Sequence, residues 1–139
     1  MHTIRKAFKF EMSHQLSDAV TAACYETIHG HSYKVELFLA AGTLNGANMV
    51  LDFGALEEFK RWLMEVFDHA LFIPAAFNRV YKDVLRQHNK KVRFTEENPT
   101  AEWMAADIYR VAVAHFEPLV KVAGVRVHET DTGYAEYTP

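Results

Sequence analysis

Residues 24–41, CYETIHGHSYKVELFLAA, decide how this chain is read. From His31 to Ala41 the odd positions are His31, Tyr33, Val35, Leu37 and Leu39. Side chains alternate along an extended strand, so these residues share one apolar face that starts in histidine. His29 projects from the same face, and Gly30 between the two imidazoles adds no side chain and lets another backbone approach. Two imidazoles on one face make half a metal site. A thiol, Cys24, and a carboxylate, Glu26, stand just upstream.

The pattern repeats towards the N-terminus. From Ile4 to His14 the even positions read Ile, Lys, Phe, Phe, Met, His, so Phe8, Phe10 and Met12 form a face that His14 closes. Two such strands paired antiparallel bring their histidine ends together, which groups His14 with His29 and His31. A histidine ending an apolar stripe also serves as a satisfied rim residue, and His-x-His also decorates ordinary strands. The grouping therefore rests on the equivalence of the two strand ends. Residues 15–28 lack periodicity and read as a loop.

Towards the C-terminus, GTLNGAN (42–48) is turn chemistry, and Asp52 is placed to cap a helix. Leu56, Phe59, Leu63, Val66 and Phe67 recur at helical spacing and predict a helix over 53–67. Asp68-His69 follows it, and Pro74 marks a break. Residues 77–88 read as a short amphipathic helix and 91–95 as a short strand. The turn EENPT (96–100) leads through Thr100, a candidate cap, into a second long helix over 101–116. Residues 122–129 predict a third strand, 131–133 a hairpin turn and 134–137 a closing strand. This order suits an α+β domain spanning 1–139: an antiparallel four-stranded sheet, two long helices packed on one face, and an extra helix and strand near 75–95.

Half of the 139 residues are apolar, about a quarter are charged, and the formal net charge is −3. No Lys/Arg block suggests a nucleic-acid partner. No apolar run approaches the eighteen or so residues of a membrane span. The opening MHTIRKAFKF lacks the apolar core of a signal peptide. A single cysteine cannot form an internal disulfide, which fits a reducing compartment, so the expected location is cytoplasmic.

Three neutral imidazoles leave a fourth position open and form a catalytic zinc set, whereas a structural zinc site rich in cysteine is beyond a chain with one. Near zinc, Cys24 becomes a usable base or nucleophile; otherwise it is an inert buried thiol. Glu26 offers a carboxylate base or a solvated loop charge. Asp68 beside His69 can fix the imidazole tautomer, although adjacent residues need not touch. Glu129 stands on the apolar face of Val125 and Val127, where its charge must meet a cation or a ligand with N–H donors.

Six pieces in order carry a resemblance. They are Phe10-Glu11-Met12-Ser13-His14, His29-Gly30-His31, Val50-Leu51-Asp52-Phe53, Asp68-His69, Asn98-Pro99-Thr100-Ala101-Glu102 and His128-Glu129-Thr130. Together they resemble the 6-pyruvoyl-tetrahydropterin synthase / 6-carboxy-tetrahydropterin synthase family, of the tunnelling T-fold class. The resemblance implies that His14, His29 and His31 bind Zn2+, that Glu129 anchors a pterin ring, and that Thr100 and Glu102 line its pocket. It implies a small-molecule pterin substrate, usually 7,8-dihydroneopterin triphosphate. In the family's reaction zinc binds the side-chain hydroxyls, a cysteine takes the proton from the adjacent carbon, and an Asp-His pair, matched by Asp68 and His69, assists while triphosphate leaves. It also implies a homo-oligomer of trimers stacked into hexamers, with sites between subunits and Glu129 serving a neighbour's zinc.

The expected product is 6-carboxy-5,6,7,8-tetrahydropterin. The alternatives are 6-pyruvoyl-tetrahydropterin or 6-hydroxymethyl-dihydropterin, and, in a different class, a zinc- and pterin-binding module without turnover. Two departures from the family pattern stand out. Cys24 lies five residues before His29, where the queuosine-pathway branch has its cysteine four before. Glu26 lies three before, where a branch resembling a dihydroneopterin aldolase has a glutamate. The segment around 75–95 is also longer than in compact members, at the site's rim or at an oligomer contact. Lys34 and Arg93 are candidates for holding the triphosphate.

Overall fold

The computed structural model describes residues 1–18 and 21–139. Strand β1 (His2–His14) pairs antiparallel with β2 (His29–Ala41) along its whole length, from His2 opposite Ala41 to His14 opposite His29. Between them, where only a loop was expected, helix α1 (Ala22–Tyr25) makes a single turn. Residues 19 and 20 of that loop lie outside the described residues. After β2, the Asp52 carboxylate accepts the Gly54 amide at 2.7 Å and starts a 3-10 turn, Phe53–Leu56. The turn runs into α2 (Glu57–Phe67), so the expected helix over 53–67 opens as a tighter coil.

Five more elements follow: β3 (Leu71–Pro74), α3 (Arg79–His88), β4 (Val92–Thr95), α4 (Ala101–Phe116) and β5 (Lys121–Thr130), before the closing strand β6 (Gly133–Tyr137). The sheet order is β4-β3-β1-β2-β5-β6. The expected antiparallel four, β1, β2, β5 and β6, are present, but β3 and β4 join parallel beyond β1. The sheet is therefore mixed and six-stranded rather than antiparallel and four-stranded. Strand β3 hid from periodicity for a physical reason. All of Leu71-Phe72-Ile73-Pro74 is buried, as in a parallel strand covered on both faces, so nothing alternates.

Both long helices pack on one face, as expected. Phe59, Leu63 and Phe67 of α2 and Met104, Ile108 and Ala112 of α4 meet Phe8, Phe10, Val35, Leu37 and Val125 in one cluster. Phe72 joins that cluster, whereas its neighbours Leu71 and Ile73 turn the other way and pack on Leu85 of α3. The added helix thus covers the opposite face of the β3–β4 wing. No helix among the described residues is long and apolar enough to cross a membrane.

Away from α2 and α4, the β1–β2–β5 sheet carries a charge network around Glu36, a buried residue on β2. Its carboxylate accepts from Arg5 and from His128 Nε2 at 2.7 Å, with Arg126 Nη1 at 3.6 Å. Burial pushes the Glu36 carboxyl up, but the bonds from His128 and Arg5 outweigh it and hold the group at about 2, against an ordinary 4.5. A carboxyl lowered in the folded state stabilises the fold above its ordinary value and loses that contribution as pH falls towards 2. The shift corresponds to about 3 kcal/mol. The urea midpoint is expected to fall steeply between about pH 5 and pH 2. In Glu36→Gln the fold should be weaker at pH 7 and the acid slope shallower; an unchanged slope would assign acid unfolding to other groups.

Candidate metal centre and flanking clefts

The β1–β2 register sets His14 opposite His29, and the alternation of β2 returns His31 to the same corner. Ring centroids stand 4.6 Å apart for His14 and His29, 5.0 Å for His29 and His31, and 5.2 Å for His14 and His31. One ligating nitrogen from each lies within 4.8 Å of the others, the only such His/Cys/Asp/Glu group among the described residues. The polar atoms around the rings show whether a metal fits. His14 Nδ1 is 2.8 Å from the Pro99 carbonyl, and His29 Nδ1 is 3.0 Å from the Thr27 carbonyl. A carbonyl only accepts, so both Nδ1 atoms carry the hydrogen, and in the neutral rings each Nε2 presents a lone pair. Those two Nε2 atoms face each other at 3.0 Å. Two lone pairs so close repel unless a cation sits between them, and backbone carbonyls that fix the tautomer are the usual supports of metal-binding imidazoles. Burial pushes both His14 and His31 below the ordinary imidazole value, although Glu129 opposes it. The neutral form is the one a metal takes. The donor set fits a metal.

Glu129, on β5, comes to this corner from its own chain. Its Oε1 lies 3.4 Å from His14 Nε2 and 3.6 Å from His31 Nε2. The buried Tyr33 hydroxyl stands 3.5 Å from the same oxygen and 3.4 Å from His14 Nδ1. The charge that an apolar strand face could not carry alone is thus set against the histidines. Glu129 also lines a cleft of about 340 Å³ with Thr100, Glu102, Thr130 and Tyr134. Thr100 caps α4 as expected, its Oγ1 accepting the Trp103 amide at 3.2 Å.

On the other side His31 lines a second cleft, of about 570 Å³, shared with His69, Ser13, Ser32, Lys90 and Lys91. Here Asp68 and His69 do touch: Asp68 Oδ2 is 3.0 Å from His69 Nδ1. The pair is latched to β1 twice, since Asp68 Oδ1 accepts the Glu11 amide at 3.1 Å and the His69 amide donates to the Glu11 carbonyl at 2.6 Å. Burial pushes the Asp68 carboxyl up, but the Glu11 amide and His69 outweigh it and hold it below its ordinary value. His69 itself sits at φ 57°, a left-handed conformation costly for a residue with a side chain. Lys91 closes the turn: its Nζ donates to the carbonyls of Met64, at 2.9 Å, and Asp68, at 2.5 Å.

Other expected residues fall elsewhere. Cys24, half-buried in α1, and the exposed Glu26 after it line neither cleft and do not join the histidine group. Lys34 stands opposite Lys9 and His128, on the sheet face away from Tyr33. Arg93 is engaged by Asp107 at 3.5 Å and lies over the rings of Phe72 and Trp103. The groups that sequence reasoning missed are the Pro99 carbonyl, the Tyr33 hydroxyl and the Lys91 ammonium. Tyr33 was findable, because it follows His31 on the same face.

The family model of 6-pyruvoyl tetrahydropterin synthase matches residues 3–139. A Helicobacter pylori protein named 6-carboxy-5,6,7,8-tetrahydropterin synthase is 31% identical, over 96% of this chain and 70% of its own. An Aquifex aeolicus protein of the same name is also 31% identical, over 96% of each chain. In fold, the chain is similar to an uncharacterized protein of Wolinella succinogenes, with a TM-score of 0.86 at 22% identity, covering 99% of this chain and 97% of that one. It is also similar to the 6-pyruvoyl tetrahydropterin synthase of Caenorhabditis elegans, with a TM-score of 0.73 at 19% identity, covering 99% and 95%.

The Lys91 clasp has a measurable consequence. Lys91→Met removes the donor to two carbonyls, at a cost of about 1–3 kcal/mol. The His69 amide is then expected to exchange with solvent faster, while Val35 in the sheet core keeps its protection. Equal His69 exchange in both proteins would show that Lys91 does not hold the turn.

Proposed function

The chain belongs to the 6-pyruvoyl tetrahydropterin synthase family, and from that membership we propose that it converts 7,8-dihydroneopterin triphosphate to 6-carboxy-5,6,7,8-tetrahydropterin. The activity is the one named for its relatives from H. pylori and A. aeolicus. One observation carries the reading. The three-histidine group stands between two clefts, with the Glu129 carboxylate on one side and the Asp68–His69 pair on the other.

We assign zinc as the metal, since three neutral imidazoles with an open fourth position are a catalytic zinc set. When bound, it supplies Lewis acidity to the hydroxyl oxygens of the substrate side chain. His14, His29 and His31 hold it. Glu129 accepts from the N–H donors of the pterin ring, and Thr100 and Glu102 line the same cleft. The substrate side chain runs past His31 towards His69. There Asp68 occupies Nδ1 and leaves the far ring nitrogen to hand a proton on. Cys24 and Glu26 ride on the turn that leads into β2. The thiol is the base for the 6-carboxy product, and the carboxylate would be the base for a 6-hydroxymethyl product. The working unit is a cytoplasmic homo-oligomer, trimers stacked into a hexamer.

Mass spectrometry of the pterin formed by zinc-loaded protein tests the reaction. The expected product is the 6-carboxy compound, with its rate lowered at least about a hundredfold in Cys24→Ser and little changed in Glu26→Gln. A 6-hydroxymethyl product with the reverse dependence would transfer the role to Glu26, and recovery of unchanged substrate would leave a binding module. The metal assignment has its own readout. Zinc at a hundred times its dissociation constant is expected to stabilise the fold by about 2.7 kcal/mol. His31→Ala should abolish that increment.

A further inference from the structure

We propose that Tyr81, on α3, is a positioning residue for the 24–26 turn and acts through Gln15. The proposal rests on the reading above that this turn carries the base. Helix α1 is too short to hold itself: it has four residues, none of them buried, and no side chain caps its N-terminus. Two bonds from outside fix it instead. The Leu16 amide donates to the Cys24 carbonyl at 2.9 Å, and Gln15 Nε2 donates to the Tyr25 carbonyl at 2.8 Å. These carbonyls belong to consecutive residues, so together they set how the chain leaves Cys24 and enters Glu26.

The first bond is backbone to backbone and survives any side-chain change. The second depends on the orientation of one amide. Gln15 is only 5% exposed; the Tyr25 carbonyl only accepts, so the end facing it is Nε2, and the Tyr81 hydroxyl donates to the other end, Oε1, at 2.6 Å and holds the amide in that position. Tyr81 is a firm anchor. Its ring meets Phe77 at 5.5 Å between centroids and packs with the Leu71, Ile73 and Leu85 cluster. The helix-and-strand segment near 75–95 therefore reaches the turn through one hydrogen-bonded relay, Tyr81 to Gln15 to Tyr25, although Tyr81 lines neither cleft.

Tyr81→Phe keeps the ring and removes the hydroxyl. Because Cys24 is the only cysteine of the sequence, its alkylation by iodoacetamide reports on this turn alone. The variant is expected to alkylate several-fold faster, and its kcat to fall about tenfold, on the scale of one hydrogen bond, with KM and bound zinc unchanged. Gln15→Met should reproduce both effects, and the double variant should be no worse than either single one, because all three break the same relay. A merely structural Tyr81 would lower the thermal midpoint without moving either readout. Wild-type alkylation rates in both single variants overturn the proposal, as does faster alkylation with unchanged kcat in an enzyme that makes the pterin product. If the parent protein forms no such product, the assigned reaction fails, and the alkylation rates alone still decide whether Tyr81 positions the turn.

Discussion

Thirteen consecutive residue pairs tie β1 to β2, and their register determines whether the three histidines meet. A slip of one residue would send His14 to the far face of the sheet while His29 and His31 stayed. What prevents the slip is the apolar stripe behind the histidines. Phe8, Phe10, Met12, Tyr33, Val35, Leu37 and Leu39 are all at most 4% exposed, and each would be turned towards the charged face or left unmatched. Burying a side chain of this size contributes about 1.5–3 kcal/mol, so the stripe outweighs any local discomfort at its end. The register therefore sets the Nε2 atoms of His14 and His29 3.0 Å apart.

The other parts of the site are hung from the same strand pair. Strand β5 pairs with β2 so that His128 lies opposite Lys34, and the next residue, Glu129, falls beside Tyr33 and the histidines. On the other edge β3 runs parallel to β1 with Leu71 opposite Ser13, which brings the preceding Asp68–His69 turn against Glu11. The turn before α4 contributes the Pro99 carbonyl that orients His14. Four stretches far apart in sequence converge on one end of β1. Each is placed by backbone pairing or capping, which leaves the reactive side chains free for a ligand.

Much of this was legible in the residues, and each failure has its own physical cause. Alternation revealed β1, β2 and β5, and helical spacing revealed α2 and α4, because each element has one buried and one wet face. Strand β3 has no wet face, so its four residues carried no period, and Pro74 at its end looked like a break. The histidine group followed from matching strand ends, and Glu129 from a charge on an apolar face. The Asp68–His69 contact could not follow from adjacency, because it depends on a left-handed His69 held by Glu11 and Lys91. The Pro99 carbonyl was invisible in principle, since every residue has a carbonyl and only the packing of α4 selects this one. Cys24 and Glu26 stay apart from the clefts and from the histidine group within the single chain, because the turn that carries them is placed by its own loop and not by the β1–β2 register.

Diffraction from zinc-loaded crystals at the zinc absorption edge tests the histidine centre most directly. The expected result is one anomalous peak per chain, about 2.0–2.1 Å from a nitrogen of each of His14, His29 and His31. A peak bound to Cys24 or Glu26 instead, or no peak in that corner, would contradict it.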